Sequence, residues 1–162
     1  MAEQAYAFEL QHPAFPFPSA EWQEIDPESI YVSGFPFWQE HQFFREGAGV
    51  MPWKEDKAKA CRKLAKQASS VAEVIQAAFE AKEKPESITV RDGLGLFLSI
   101  LFWSNGRPVQ LRELDKQIAT LEIKPMNIEE RLTYILENGH TYPGFKQWEE
   151  LLLEQRKLIA KQ

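Results

Sequence analysis

The residues of this chain best suited to catalysis or metal binding are three histidines, one cysteine and a few acidic pairs. His12, His41 and His140 each stand in or beside a segment of Pro, Gly and aromatic residues, and none falls in HxxxH or HxH spacing. A metal ion would need all three to converge with a carboxylate, so no metal ligand is assigned. Glu40-His41 alone is not a catalytic pair. Cys61 is flanked by Lys59, Arg62, Lys63 and Lys66, cations that would activate an exposed thiol. It lies on a stripe of small apolar residues, however, which predicts a buried structural cysteine. Asp92-Gly93-Leu94-Gly95 is superficially like a phosphate-binding loop, but the third glycine and a preceding βαβ pattern are missing. The two glycines instead predict close packing at the start of a helix. Glu129-Glu130 and Glu149-Glu150 fall near helix N-termini, where negative charge complements the macrodipole. No catalytic residue and no cofactor site is expected.

One charge feature has a functional reading. Between Lys54 and Lys66 six cations face only Glu55 and Asp56, and on a helix Lys59, Arg62, Lys63 and Lys66 share one polar face able to contact phosphates or a partner. The solvated side of any amphipathic helix looks similar. A third role for this face is to attract the acidic N-terminal segment across the molecule. That segment is distinct: residues 1–53 carry eight acidic groups against Arg45 alone, a balance of −7, whereas residues 54–162 balance at +2. The net charge of −5 averages two different surfaces.

A chain of 162 residues with 44% hydrophobic and 12% aromatic content suits one globular domain and excludes disordered, collagenous and purely coiled-coil classes. The longest uncharged stretch, Gly93 to Gly106, has 14 residues, short of the roughly 20 that span a membrane. A lone cysteine and an acidic N-terminus without an export signal point to a cytoplasmic setting.

Two kinds of segment must position these residues. Residues 1–53 hold most of the prolines and aromatics, so an acidic, irregular strap is expected, with short helical turns at Glu28–Val32 and Pro36–Arg45. Its rings, Phe15, Phe35, Trp38 and Phe44 among them, would each gain about 1.5–3 kcal/mol by burial against a helical core. From residue 54 the pattern is helical. Ala58, Cys61, Ala65, Ala68, Ala72, Ile75 and Phe79 form one stripe ending before Pro85, with small side chains that favour close helix approach; Ser70-Val71-Ala72-Glu73 would start a second helix if the first broke at Ser69. Thr89 to Asp92 opens a central helix, apolar on almost every side, that stops at Asn105-Gly106. Pro108 suits the first turn of a short helix running to Thr120. Asn127 caps a helix closed by Asn138-Gly139, and Thr141-Tyr142-Pro143 opens the last one. The fold expected is all-α: a single-domain bundle of four to five helices (54–162) with the Pro/aromatic-rich N-terminal segment (1–53) wrapped on it.

The segments Leu101-Phe102-Trp103-Ser104-Asn105-Gly106-Arg107-Pro108-Val109 and Lys124-Pro125-Met126-Asn127-Ile128-Glu129-Glu130-Arg131-Leu132-Thr133-Tyr134-Ile135-Leu136 resemble the YpoC-like family of small proteins from Gram-positive bacteria. Pro36-Phe37-Trp38, Pro52-Trp53 and the Lys-rich C-terminal helix share the likeness. The resemblance implies a small cytoplasmic helical protein and brings no catalytic residues with it. On their own residues both segments read as helix junctions, and a junction pocket bounded by Trp103, Arg107, Asn127 and Arg131 is a second candidate site, although capping alone explains the motifs.

These features lead to the expectation of a non-enzymatic module whose partner is another protein. Trp22, Trp38 and Leu151 would supply the partner patch if they stayed exposed. The alternative is an accessory nucleic-acid-binding protein that uses the basic face at 54–66. A second alternative is an enzyme whose site, with His41 or His140 beside carboxylates, is assembled across helices.

Overall fold

A computed structural model describes residues 6–18 and 22–162. Among them are six α-helices and no strand: α1 Trp38–Glu46, α2 Lys57–Glu80, α3 Ser87–Trp103, α4 Leu114–Ala119, α5 Ile128–Asn138 and α6 Tyr142–Ala160. The all-α bundle is therefore as expected, and the helical turn expected at Pro36–Arg45 of the strap is the nine-residue helix α1.

α3 is the centre. Every residue from Asp92 to Trp103 is buried, because this helix is apolar all round and has a neighbour on each side. α2 packs along it most extensively, and α6 closes a second side. Two glycines set these approaches. A Cβ on Gly93 would lie 3.2 Å from Trp148 of α6 and 3.3 Å from Val71 of α2, and the Trp148 indole donates to the Gly93 carbonyl at 2.8 Å. Gly95 faces the strap instead, where its Cβ would stand 2.9 Å from Pro36.

The strap covers the remaining side of α3. Asp92, buried at the start of the helix, accepts hydrogen bonds from the Ser33 hydroxyl at 2.6 Å and the Gly34 N–H at 2.9 Å, with the Tyr31 hydroxyl at 3.3 Å. Phe37 then turns the chain in the left-handed conformation, φ 66°, and α1 begins. Tyr6, Trp22, Phe35 and Trp38 close around His41, with ring centroids 4.5 to 6.1 Å from the imidazole. Strap rings and helices share one buried apolar cluster.

Several local expectations give way to tertiary contacts. α2 is continuous through Ser69; the Ser70 hydroxyl donates back to the Lys66 carbonyl instead of capping a new helix. α3 starts at Ser87, before Thr89, because Asp92 is engaged by the strap and caps nothing. Glu28–Val32 is not helical. Pro108 starts no helix either: the N–H of Val109 goes to Glu40 and that of Leu111 to the Glu9 carbonyl at 2.9 Å, which keeps residues 108–111 out of a helix, and a turn at 112–113 leads into α4. Asn127 does precede α5, but in a left-handed conformation and without a side-chain capping bond. Thr141 caps α6 as expected, its hydroxyl accepting from the Gly144 N–H at 3.1 Å.

Candidate functional site

Lys59, Arg62, Lys63 and Lys66 project from α2 into solvent, and none of the four side chains has an ion pair or hydrogen bond among the described residues. The acidic strap does not cover them. Its aromatic residues seat it on α3, and Glu24, Asp26, Glu28 and Glu46 remain exposed. This corrects the idea that the two halves neutralise each other. Exposed ion pairs contribute up to about 1 kcal/mol, less than the burial of a single ring, so the rings choose the seat.

What faces the basic arc is α6. Arg156, Ile159 and Ala160 stand across from Ala58, Cys61, Arg62, Ala65, Lys66 and Ser69, with Ile100 of α3 also lining the space, around a cleft of about 520 Å³. No carboxylate lines it. Lys157 and Lys161 continue the positive charge round the exposed side of α6, and like the α2 cations none of the three basic residues of this helix end has an ion pair. Residues 57–72 and 155–162 contain no Asp or Glu at all. A smaller cleft of about 140 Å³ extends the groove along Ala68, Ala72, Trp148, Leu152 and Leu153, and Glu149, paired with Lys146, also lines it. The small-residue stripe thus serves two neighbours: part of it lets α3 approach, while Ala58, Ala65 and Ala72 leave open space toward α6. Arg156, Lys157 and Lys161 were missed in the sequence, where the only signal was an acid-free C-terminal run.

The four residues of the junction candidate are engaged separately. The Trp103 indole, buried, donates to Glu40. Arg107 binds the Thr120 hydroxyl at 2.5 Å and the Gln117 side-chain oxygen at 2.8 Å. Arg131 donates to the Met126 carbonyl and pairs with both oxygens of Glu154, tying α5 to α6 and holding the Glu154 carboxyl below its usual range. Asn127 is exposed. These are helix-junction contacts, and the pocket reading falls. The condition for a partner patch at Trp22, Trp38 and Leu151 is not met, since Leu151 and Trp38 are buried and Trp22 is half-buried.

The chemically capable groups are inward. Glu40 is fully buried; one oxygen accepts from the Trp103 indole at 2.5 Å and the Val109 N–H at 3.0 Å, and the other has no partner. Burial pushes its carboxyl up to about 7 despite these donors. His41, next in sequence, accepts from the Ala7 N–H at Nδ1, and burial, with Arg45 nearby, lowers it to about 4. Burial pushes the Cys61 thiol up to about 11, so it is a poor nucleophile and a packing residue as expected. No three His, Cys, Asp or Glu side chains among the described residues stand where they could hold a metal ion. A larger open cleft, about 1140 Å³ between the strap and α5, is lined by Phe8, His12, Arg112, Leu132 and Glu137 among others; its rim carries both charge signs and selects for neither. No helix among the described residues is long and apolar enough to cross a membrane.

Comparison with known proteins supplies one match: the family model described as YpoC-like protein covers residues 58–162. No curated protein and no solved structure matches the chain.

Proposed function

The chain belongs to the YpoC-like protein family, and we propose that it is a non-enzymatic protein-interaction module, an adaptor that works in the cytoplasm without a cofactor and grips an acidic partner protein through its basic α2–α6 face. The observation that carries this reading is the one-signed surface: Lys59, Arg62, Lys63, Lys66, Arg156 and Lys161 have no ion pair among the described residues, Lys157 beside them has only the nearby charge of Glu154, and residues 57–72 and 155–162 hold no carboxylate. Unpaired charges of one sign steer a partner of opposite sign and fix its register. The reduced, buried Cys61 agrees with a cytoplasmic setting. The enzyme alternative has less support, because Glu40 and His41 are spent on holding the strap.

The same cations favour a second reading, binding of nucleic acid. Against it, the 520 Å³ cleft between them has no aromatic residue on which a base would stack. The two separate in one experiment. The full-length protein is used as bait in native lysate, with and without nuclease, beside the exposed-arc variant Lys59→Glu/Lys63→Glu. We expect a specific acidic protein to be retained at low salt, eluted by salt, indifferent to nuclease and lost with the variant. Recovery of the bait alone would defeat the protein reading, and capture that disappears with nuclease would replace it with the nucleic-acid one.

A further inference from the structure

We infer that the groove between α2 and α6 is the docking site for an acidic amphipathic helix of the partner; the inference rests on the protein-interaction reading above and adds where and what the partner inserts. Three observations carry it. The first is shape. Ala58, Cys61 and Ala65 pair across the cleft with Arg156, Ile159 and Ala160, whereas Ala68 and Ala72 pair with Trp148 and Leu152, so α2 and α6 run antiparallel along the groove. From Ala58 to Ala72 it extends roughly 21 Å at 1.5 Å per residue, the length of about four helical turns. A helix laid between two antiparallel helices packs by the same ridge-and-groove geometry as a bundle member.

The second is the contrast between floor and rim. The floor is apolar, with Ala65, Ile100 and Ile159, and Leu153 stays half exposed at the far end of the groove. The rim at the Ala58–Lys66 end is cationic: Arg62 and Lys66 are one turn apart on α2, and Arg156 stands on the opposite wall. Toward Ala72 the lining includes one carboxylate, Glu149, which is paired with Lys146 at 2.9 Å. The spacing of Arg62 and Lys66, about 6 Å along α2, matches carboxylates at i and i+4 on a partner helix. The third is that these cations have no internal partner, so a partner's carboxylates replace only water. One large apolar side chain seated on the floor, with Glu or Asp on the turns flanking it, satisfies both surfaces at once. Duplex nucleic acid and an anionic membrane would use the rim and leave the floor empty.

The test begins from random 16-residue peptides displayed against the full-length protein. Enriched sequences are synthesised with a fluorescent label and titrated by anisotropy against wild type, Ala65→Trp, which fills the cleft, and Arg62→Glu/Arg156→Glu, which reverses the rim at exposed positions. We expect enrichment of acidic sequences with Leu or Phe at i, i+3 or i+4 spacing, and at least about tenfold weaker binding to both variants, each with the circular dichroism of the wild type. The charge-reversal variant decides alone if Ala65→Trp fails to fold. Enrichment of neutral or basic peptides, no enrichment, or undiminished binding to the rim variant overturns the inference. So does rim-dependent binding of duplex DNA or phosphatidylglycerol vesicles without peptide binding. Peptides that ignore the groove variants but are lost with Lys59→Glu/Lys63→Glu overturn the groove assignment and leave the protein-interaction reading standing.

Discussion

Glu40 and His41 are consecutive residues of α1 whose titrations oppose each other. The buried carboxyl has its folded value raised to about 7 from 4.5, so its contribution to stability is fully present below 4.5 and is lost as pH rises through 7. The imidazole has its folded value lowered to about 4 from 6.5, so its contribution is present above 6.5 and is lost as pH falls through 4. Between about 4.5 and 6.5 the two slopes cancel. Each single substitution should therefore unmask the other: Glu40→Gln should lose stability as pH falls from 6.5 toward 4, and His41→Gln should lose it as pH rises from 4.5 toward 7. Neither slope can exceed about 1.4 kcal/mol per pH unit, the limit for one proton. Urea midpoints across pH 4 to 8 measure both, and parallel profiles in wild type and variants would refute the opposition. Trp103→Phe removes a donor to the Glu40 carboxylate and should cost about 1–3 kcal/mol at pH 8, with a smaller loss at pH 5.5, where the carboxyl is neutral.

At the scale of elements, the sharpest test is Gly95, where the strap crosses α3. Alanine would gain about 1 kcal/mol of helix propensity. Its Cβ, however, would meet Pro36 at 2.9 Å, and overpacking against a ring costs about 1–3 kcal/mol. We expect Gly95→Ala to lower the melting temperature and to increase proteolysis within residues 24–37, while an alanine that stabilises the protein would show that Pro36 yields. The same strap explains what could be read in advance. α2, α5 and α6 were legible because their apolar periodicity is strong and local, and α3 was recognisable as central because no side of it is polar. Pro108 and Glu28–Val32 misled because their fates depend on partners distant in sequence: Glu40 takes the Val109 N–H and Glu9 the Leu111 N–H, while the Tyr31 hydroxyl donates to Asp92 and the Ser29 carbonyl accepts from the Gln39 side chain. Of the candidate site, the α2 cations were legible as a face. Arg156 was not, since only the antiparallel return of α6 brings it across from Arg62, and the open space between them exists because alanines stand where larger residues would have closed it.

Across the whole molecule, family match and folding unit differ in extent. The match covers residues 58–162, yet one side of α3, with Asp92, Gly95 and Trp103, is covered by residues that precede it. A fragment of residues 58–162 should therefore bind a hydrophobic dye, unfold with lower cooperativity and aggregate at concentrations where the full chain stays dispersed; a sharp unfolding transition in the fragment would contradict this. The order of the chain adds a consequence in time. Glu40 leaves the ribosome 69 residues before its acceptor-binding partner Val109. At about 5–20 residues per second, the aromatic strap waits roughly 3–14 s for the surface it will cover. Through that interval its rings have no α3 to bury against, and the excess of negative charge among them favours repulsion between neighbouring nascent chains.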